Sequence, residues 1–170
     1  IPTCVDVSRF GEVARNRSGD DPLTVGCLGT VLSGWFKLDW LIACFEAVES
    51  AHRDARYRLV TRDDPDEVRA ALGAFTDRVG DRLVIESASP PHVPATIAGF
   101  TISPFFYATG LARLAGCPTR MGELLAAGIP VLANRGSGDV DEIIERYRVG
   151  VLVDGPEPEQ MADALERSRA

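Results

Sequence analysis

Lysine is nearly absent from this 170-residue chain, and most of its 18 basic residues are arginine, set against 25 acidic ones. The formal net charge is −7. An acidic chain without a basic stripe offers little to a phosphate backbone, so nucleic acid is excluded as the main partner, while a local arginine site for one phosphate group is not. Histidine is scarce, with only His52 and His92. The four cysteines, Cys4, Cys27, Cys44 and Cys117, show no paired close spacing, so no zinc-like cluster is expected. Free thiols in a reducing cytoplasm are the plain reading. No apolar run reaches the roughly 20 residues of a membrane span, and the N-terminus lacks a signal-peptide pattern. No Asp-x-Asp motif stands at a strand end, because Asp64-Pro65-Asp66 opens a helix and reads as a cap. The expectation is therefore no metal and no cofactor. No Ser/His/Asp or Cys/His constellation stands out either.

What is present is a regular alternation of short apolar runs and amphipathic segments, in a chain that is 45% hydrophobic and of single-domain size. Strands are predicted at Leu23–Leu28, Tyr57–Thr61, Leu83–Ile85, Phe100–Phe106, Ile129–Ala133 and Val149–Val153. Helices are predicted at Phe36–His52, Pro65–Thr76, Pro91–Ala98, Thr119–Ala127, Val140–Tyr147 and Pro158–Arg167. Gly128 just past the fourth helix fits a helix stop. Trp35 and Trp40 are read first as core anchors. Six strands alternating with helices imply an α/β fold, a Rossmann-like, doubly wound parallel sheet with helices on both faces. Ligands of such sheets sit beyond the carboxyl ends of the strands. That places Gly29–Trp35, Thr61–Asp64, Ser87–Val93, Phe106–Arg120 and Asn134–Asp139 around a site.

The strongest local signal is the loop-to-helix passage Gly116-Cys117-Pro118-Thr119-Arg120-Met121-Gly122-Glu123. Pro118 and Thr119, a candidate cap, mark a helix start, whose free N–H groups and positive dipole end suit a diphosphate. Arg120 adds a charged donor, and Arg113 is placed to reach in from the preceding loop. Glu123, one turn deeper, has the reach to accept hydrogen bonds from two ribose hydroxyls. The plainer alternative is a first-turn glutamate favoured by the dipole beside a solvated Arg120. Gly29-Thr30 after the first strand admits a ligand to the backbone or simply makes a tight turn. His92 is a candidate base contact, with a surface histidine as the plainer reading; Val93 beside it and Thr61 complete the candidate lining. Ser137 or Asp139 caps the helix that follows, or faces a transferred sugar. Cys117 is read as a packed thiol.

The stretch Glu123-Leu124-Leu125-Ala126-Ala127-Gly128-Ile129-Pro130-Val131 resembles the Glu-Ala-Met-Ala-x-Gly-x-Pro-Val signature of retaining GT-B glycosyltransferases, the glycosyl transferases group 1. Gly136-Ser137-Gly138-Asp139-Val140-Asp141-Glu142-Ile143-Ile144 is similar to the Gly-Gly-x-x-Glu-Ile-Ile segment of the same enzymes, and Gly150-Val151-Leu152-Val153 to the strand that follows it. Ile1-Pro2-Thr3-Cys4-Val5-Asp6 resembles the link that enters their second domain. The resemblance implies that residues 1–22 are an entry segment and 23–170 the C-terminal, donor-binding domain. An N-terminal acceptor-binding domain would then lie outside this chain, which starts at Ile1 rather than Met. It implies that Glu123 is the ribose ligand, the second glutamate of a Glu-x7-Glu motif whose first member is replaced by Ala115. Thr30 stands where the family has an arginine, and Gly34 or Trp35 near its lysine, so Lys37, Arg113 or Arg120 would have to neutralise the diphosphate. Gly29-Thr30-Val31-Leu32-Ser33-Gly34-Trp35-Phe36 and Cys117-Pro118-Thr119-Arg120 resemble a divergent branch of the family met in bacterial surface-polysaccharide contexts.

The reading is thus a glycosyltransferase donor domain for a UDP-, GDP- or ADP-linked sugar. Its binding residues are Gly29, Thr30, Thr61, His92, Val93, Pro118, Thr119, Arg120 and Glu123, and Arg120 and Arg113 assist the leaving group. The expected location is cytoplasmic, with peripheral attachment at the inner membrane face left open for the full-length protein. The isolated domain is expected to be inactive, since the acceptor half is missing. The rivals are a non-catalytic nucleotide-sugar-binding module, motivated by Ala115 and the lost Arg/Lys pair, and a sugar-nucleotide epimerase, for which acid/base groups are lacking.

Overall fold

The structure is a computed structural model that describes residues 4–10, 22–110 and 118–168. Six parallel strands, β1 (Thr24–Leu28), β2 (Arg56–Val60), β3 (Leu83–Glu86), β4 (Ser103–Phe105), β5 (Val131–Asn134) and β6 (Gly150–Val153), alternate with helices. These are α1 (Leu38–Ala51), α2 (Pro65–Leu72), α3 (Ala74–Val79), α4 (Val93–Ile97), α5 (Thr119–Ala126), α6 (Val140–Tyr147) and α7 (Pro158–Arg167). The strands form two three-stranded sheets, β1-β2-β3 and β4-β5-β6, joined by one parallel bridge between Val25 and Ile102. Read across that bridge the order is 3-2-1-4-5-6, the doubly wound arrangement with its switch point between β1 and β4. β1 and β5 are buried along their whole length, as expected of strands covered on both faces.

The bridge is short for an identifiable reason. Gly26 N–H donates to Ile102 O (3.0 Å) and Thr101 N–H to Thr24 O (2.8 Å). The next donor along β4 would be residue 104, and Pro104 has no N–H, so the ladder stops. The strand expected at Phe100–Phe106 is observed as Ser103–Phe105, paired to β5, with Ile102 bridging to β1 just before it. Phe100 instead turns its ring onto Gly26, where a Cβ would fall inside the ring.

The helix expected over Pro65–Thr76 is two helices, because Gly73 takes φ +59 and breaks the run. Asp64 caps the first of them, its Oδ1 accepting from Asp66 N–H (2.9 Å) and Glu67 N–H (3.1 Å), as the sequence suggests. α5 ends in a Schellman motif: Ile129 N–H donates to Leu124 O and Gly128 N–H to Leu125 O, with Gly128 at φ +68. One continuous core spans both halves and includes Phe45, Tyr57, Phe75, Phe105 and Leu124. α7 packs back against α1. Phe10, in the segment before the first strand, is fully buried, so residues 4–10 are fastened to the domain. Trp40 packs on the core, its ring 5.7 Å from that of Phe106. Trp35 departs from the core-anchor reading: it is 54% exposed, on a loop displayed at the carboxyl edge of the sheet. Among the described residues, no helix is long and apolar enough to cross a membrane.

Candidate functional site

Beyond the carboxyl ends of the strands lies a cavity of about 500 Å³, in the size range of small-molecule sites. Its lining comes from β1 and the turn after it (Leu28, Gly29, Thr30), the end of β2 (Val60, Thr61, Arg62), the segment after β3 (Ala88, Pro90, Val93), Tyr107 after β4, and the start of α5 (Pro118, Thr119, Arg120, Glu123). The fold therefore brings Gly29, Thr30, Thr61, Val93, Pro118, Thr119, Arg120 and Glu123 to one place. His92 is not in the lining. It is exposed at the head of α4, with Nδ1 2.7 Å from Ser89 Oγ, and the helix turns its ring outward while its neighbours Pro90 and Val93 face the cavity. Arg113, Ala115 and Cys117 lie outside the described residues. Sequence reasoning did not single out Arg62, Tyr107 or Pro90. They sit within the loops placed near the site, but no motif marks them.

The loop after β1 is held from three sides. Asp63 Oδ2 accepts from Val31 N–H (2.6 Å), Leu32 N–H (3.1 Å) and Thr61 Oγ1 (2.9 Å). Lys37 N–H donates to Phe106 O (2.9 Å), and Ala108 N–H to Trp35 O (2.9 Å). Buried Asn134 then braces the strand beneath, accepting from Tyr107 N–H (2.7 Å) and donating to Tyr107 O (3.0 Å). Replacing Asp63 by alanine strands two backbone N–H groups. Denaturant unfolding should show a loss of about 2 kcal/mol, with faster amide exchange at Val31 and Leu32. Asp63→Asn, which keeps an acceptor, should lose less than half as much.

At α5 the N-cap position belongs to Pro118, in extended conformation, and no side chain caps the helix. Thr119 is the first helical residue rather than the cap, and is exposed. The physical reason is that the capping residue must have non-helical φ/ψ, and Pro118 at ψ 117 already supplies that turn into the helix. Neither Thr119 N–H nor Arg120 N–H has an acceptor among the described residues, so both are available at the positive end of the helix dipole.

Arg120 reaches across to the β1 turn. Its Nη2 donates to Thr30 O (3.3 Å), and its guanidinium lies 5.7 Å from the Phe36 ring centroid and 5.4 Å from that of Tyr107. Gly29, at φ +96, leaves the room: a Cβ there would come within 2.5 Å of Nη2. Arg120 Nη1 is buried and finds no acceptor among the described residues. Glu123, one turn on, is half-buried, and burial raises its carboxyl above the usual range, opposed by the charges of Arg9 and Arg120. Arg9 itself donates to Pro90 O at the far wall. Deeper still, burial pushes the Cys27 thiol up to about 11 and that of Cys44 up to about 12, so both stay protonated.

Gly136 N–H, in the loop after β5, is accepted by both Asp141 carboxylate oxygens (3.2 and 3.1 Å). Asp139 holds the N-cap position of α6 but makes no side-chain cap bond, and Ser137 is buried, contributing its backbone carbonyl to Val140 N–H (3.1 Å). Neither side chain caps the helix. A second cavity, about 590 Å³, lies toward the amino ends of β1 and β2 and carries Arg56, Arg58 and Arg82. Arg58 and Arg82 are already neutralised there by Glu86 and Glu49. Arg56 has no carboxylate partner among the described residues, but this cavity lies at the amino ends of the strands, away from the carboxyl edge where ligands of doubly wound sheets sit. Among the described residues, no group of three His, Cys, Asp or Glu side chains converges as a metal site.

A strand order of 3-2-1-4-5-6 with a donor-rich helix start at the switch point is shared by many nucleotide-binding domains, and the comparisons narrow it. The family model of the glycosyl transferases group 1 matches residues 22–168, and the chain belongs to that family. No curated protein sequence matches. Among solved structures, the lipopolysaccharide outer core galactosyltransferase WaaB superposes with TM-score 0.70 at 13% identity, over 99% of this chain and 44% of that one. The C-terminal domain of a glycosyl transferase group 1 family protein (LpcC) from Francisella tularensis gives 0.61 at 16% identity, over 97% of this chain and 82% of that one. Anabaena Alr3699/HepE, in complex with UDP and glucose, gives 0.59 at 17% identity, over 96% and 45%. The chain thus spans less than half the length of WaaB, and its fold is that of the C-terminal, Rossmann-like domain of a GT-B glycosyltransferase.

Proposed function

We propose that this domain binds the nucleoside diphosphate of a sugar nucleotide in the carboxyl-end cavity, as the donor half of a glycosyltransferase. The observation that carries the reading is the start of α5: two N–H groups with no acceptor among the described residues, the Arg120 guanidinium and the Glu123 carboxylate line one cavity within about a turn of helix. In this reading the diphosphate meets the Thr119 and Arg120 N–H groups and the Arg120 side chain. The ribose hydroxyls donate to Glu123. Charge developing on the leaving diphosphate would be stabilised by the same donors, already oriented by Gly29, Phe36 and Tyr107. Arg113 is assigned an assisting role on sequence grounds alone. The UDP held by Anabaena Alr3699/HepE, which shares the fold, supports a nucleotide as ligand. Surface-polysaccharide synthesis is the proposed setting, and transfer is proposed to need a second, acceptor-binding domain. A cytoplasmic location goes with that setting.

Calorimetry with UDP, GDP and ADP tests the reading, with Glu123→Gln as the informative variant. The ligand hydroxyls need an ionised acceptor, so affinity should rise with pH through the raised Glu123 pKa and fall below it. Glu123→Gln should weaken nucleotide binding roughly tenfold and flatten that pH profile. Folding stability moves the other way. A carboxyl whose folded pKa is raised costs nothing when protonated in both states, below its unfolded value. It destabilises as pH rises through the window up to its folded value. Glu123→Gln should therefore melt no lower than the parent chain at neutral pH. A variant that loses stability but keeps affinity sinks the ribose assignment.

The non-catalytic binding module remains the second reading. It is favoured by the loop after β1, where Thr30 and the exposed Trp35 stand and Arg120 reaches in from another element to supply the charge. Turnover of a sugar nucleotide by the full-length protein decides between the two.

A further inference from the structure

The two ends of the cavity are built from different chemistry. Beside α5 it is rich in donors. Toward β2 and β3 the walls are Val60, Ala88, Pro90 and Val93, and the polar side chains are Thr61 and Arg62. The Thr61 hydroxyl is committed, donating to Asp63 Oδ2 (2.9 Å) and accepting from Asp63 N–H (3.0 Å). The acids next to Arg62 are committed too, Asp63 to the β1 loop and Asp64 to the α2 N-terminus. Arg58, Arg82 and Arg135 each have a carboxylate partner. Arg62, exposed at the cavity wall, has none among the described residues.

With the diphosphate at α5 and the ribose at Glu123, a base extends toward this second end. Its apolar walls suit a flat ring, and among the described residues Arg62 is the lining polar side chain at that end without a partner. A guanidinium offers donors and no acceptor. Guanine and uracil present carbonyl oxygens to such a group, whereas adenine and cytosine present an amino donor at the corresponding position. Resting on the donor-site reading above, we propose that Arg62 selects the base: its guanidinium donates to the carbonyl of an oxo base, guanine or uracil, and disfavours the amino bases adenine and cytosine.

The test is calorimetry of UDP, GDP, ADP and CDP against this chain and its Arg62→Ala and Arg62→Lys variants. The parent chain should bind UDP or GDP roughly tenfold or more tightly than ADP and CDP. Arg62→Ala should bring that ratio near one by weakening the oxo-base nucleotide while leaving ADP and CDP as they were. Arg62→Lys, which keeps a charge without the planar fork, should restore only part of the ratio. The exposed position leaves the melting curve of both variants unchanged. A ratio that survives Arg62→Ala overturns the proposal, as does equal weakening of all four nucleotides, which would place Arg62 on the diphosphate. Failure of the parent chain to bind any of the four overturns the donor site itself, a result distinct from both.

Discussion

Gly26→Ala should destabilise this domain by about 3 kcal/mol or more, a large share of the 5–15 kcal/mol typical of a whole domain. Gly26 lies in the middle of β1, where a Cβ would enter the ring of Phe100. Phe100 is fully buried, its backbone N–H is bonded to Ile97 O (2.9 Å), and the Arg58 guanidinium stands 6.0 Å from its ring centroid. The new methyl must push either the ring or the strand. Moving the strand breaks the Gly26 N–H bond to Ile102 O that joins the two halves of the sheet. Thermal unfolding should show a midpoint lowered by roughly 10 °C for a chain of this length. Gly34→Ala is the control, since a Cβ there meets nothing within 4 Å and its midpoint should stay within about 1 °C. The steric account also predicts that Phe100→Leu, harmful alone, recovers part of the loss when combined with Gly26→Ala. Simple additivity of the two would refute it.

The second large effect concerns ligand rather than fold. Arg120→Ala should weaken binding of a nucleoside diphosphate by roughly 10- to 100-fold, the size expected for a charge-assisted hydrogen bond. The free nucleoside should be affected far less. The guanidinium lies 5.7 Å from the Phe36 ring centroid and 5.4 Å from that of Tyr107, bonds Thr30 O and sits against Gly29, so it is oriented before any ligand arrives. That orientation is why Arg120→Lys should recover little: an ammonium keeps the charge but loses the planar fork. Calorimetry with matched nucleoside and nucleoside diphosphate separates the outcomes. Equal loss for both ligands would mean that Arg120 supports the cavity wall and does not touch the phosphates.

Much of the fold was legible because its signals are local. Apolar runs of buried parallel strands, the Pro-led helices at Pro65 and Pro158, the Asp64 cap and the Gly128 stop each depend on residues within one or two turns. The misplaced boundaries have equally local causes that a hydrophobic pattern does not weigh: Gly73 splits one helix, and Pro104, within β4, stops its ladder to β1. The candidate cavity was legible where its lining is carried by a motif, at Pro118 to Glu123 and at Gly29-Thr30. It was not legible where it depends on a side chain reaching across the fold. Asp63 gripping Val31 and Leu32, Asn134 bracing Tyr107, and Arg62 left without a carboxylate partner among the described residues because the two acids that follow it are committed elsewhere are products of tertiary placement. His92 and Val93 illustrate the limit, since one step along the chain separates a residue that faces water from one that faces the cavity.

Pro104 has a consequence for how the molecule holds together. By interrupting the central ladder it leaves a seam, stitched by a few backbone bonds around Thr24, Gly26 and Ile102, between two otherwise well-paired halves. The cavity straddles that seam, with Gly29, Thr61 and Arg62 on one bank and Tyr107, Arg120 and Glu123 on the other. A nucleotide lying across it would act as a rivet, lending the middle of the sheet cohesion that proline withholds, and letting occupancy at one bank be felt as stiffness in the other.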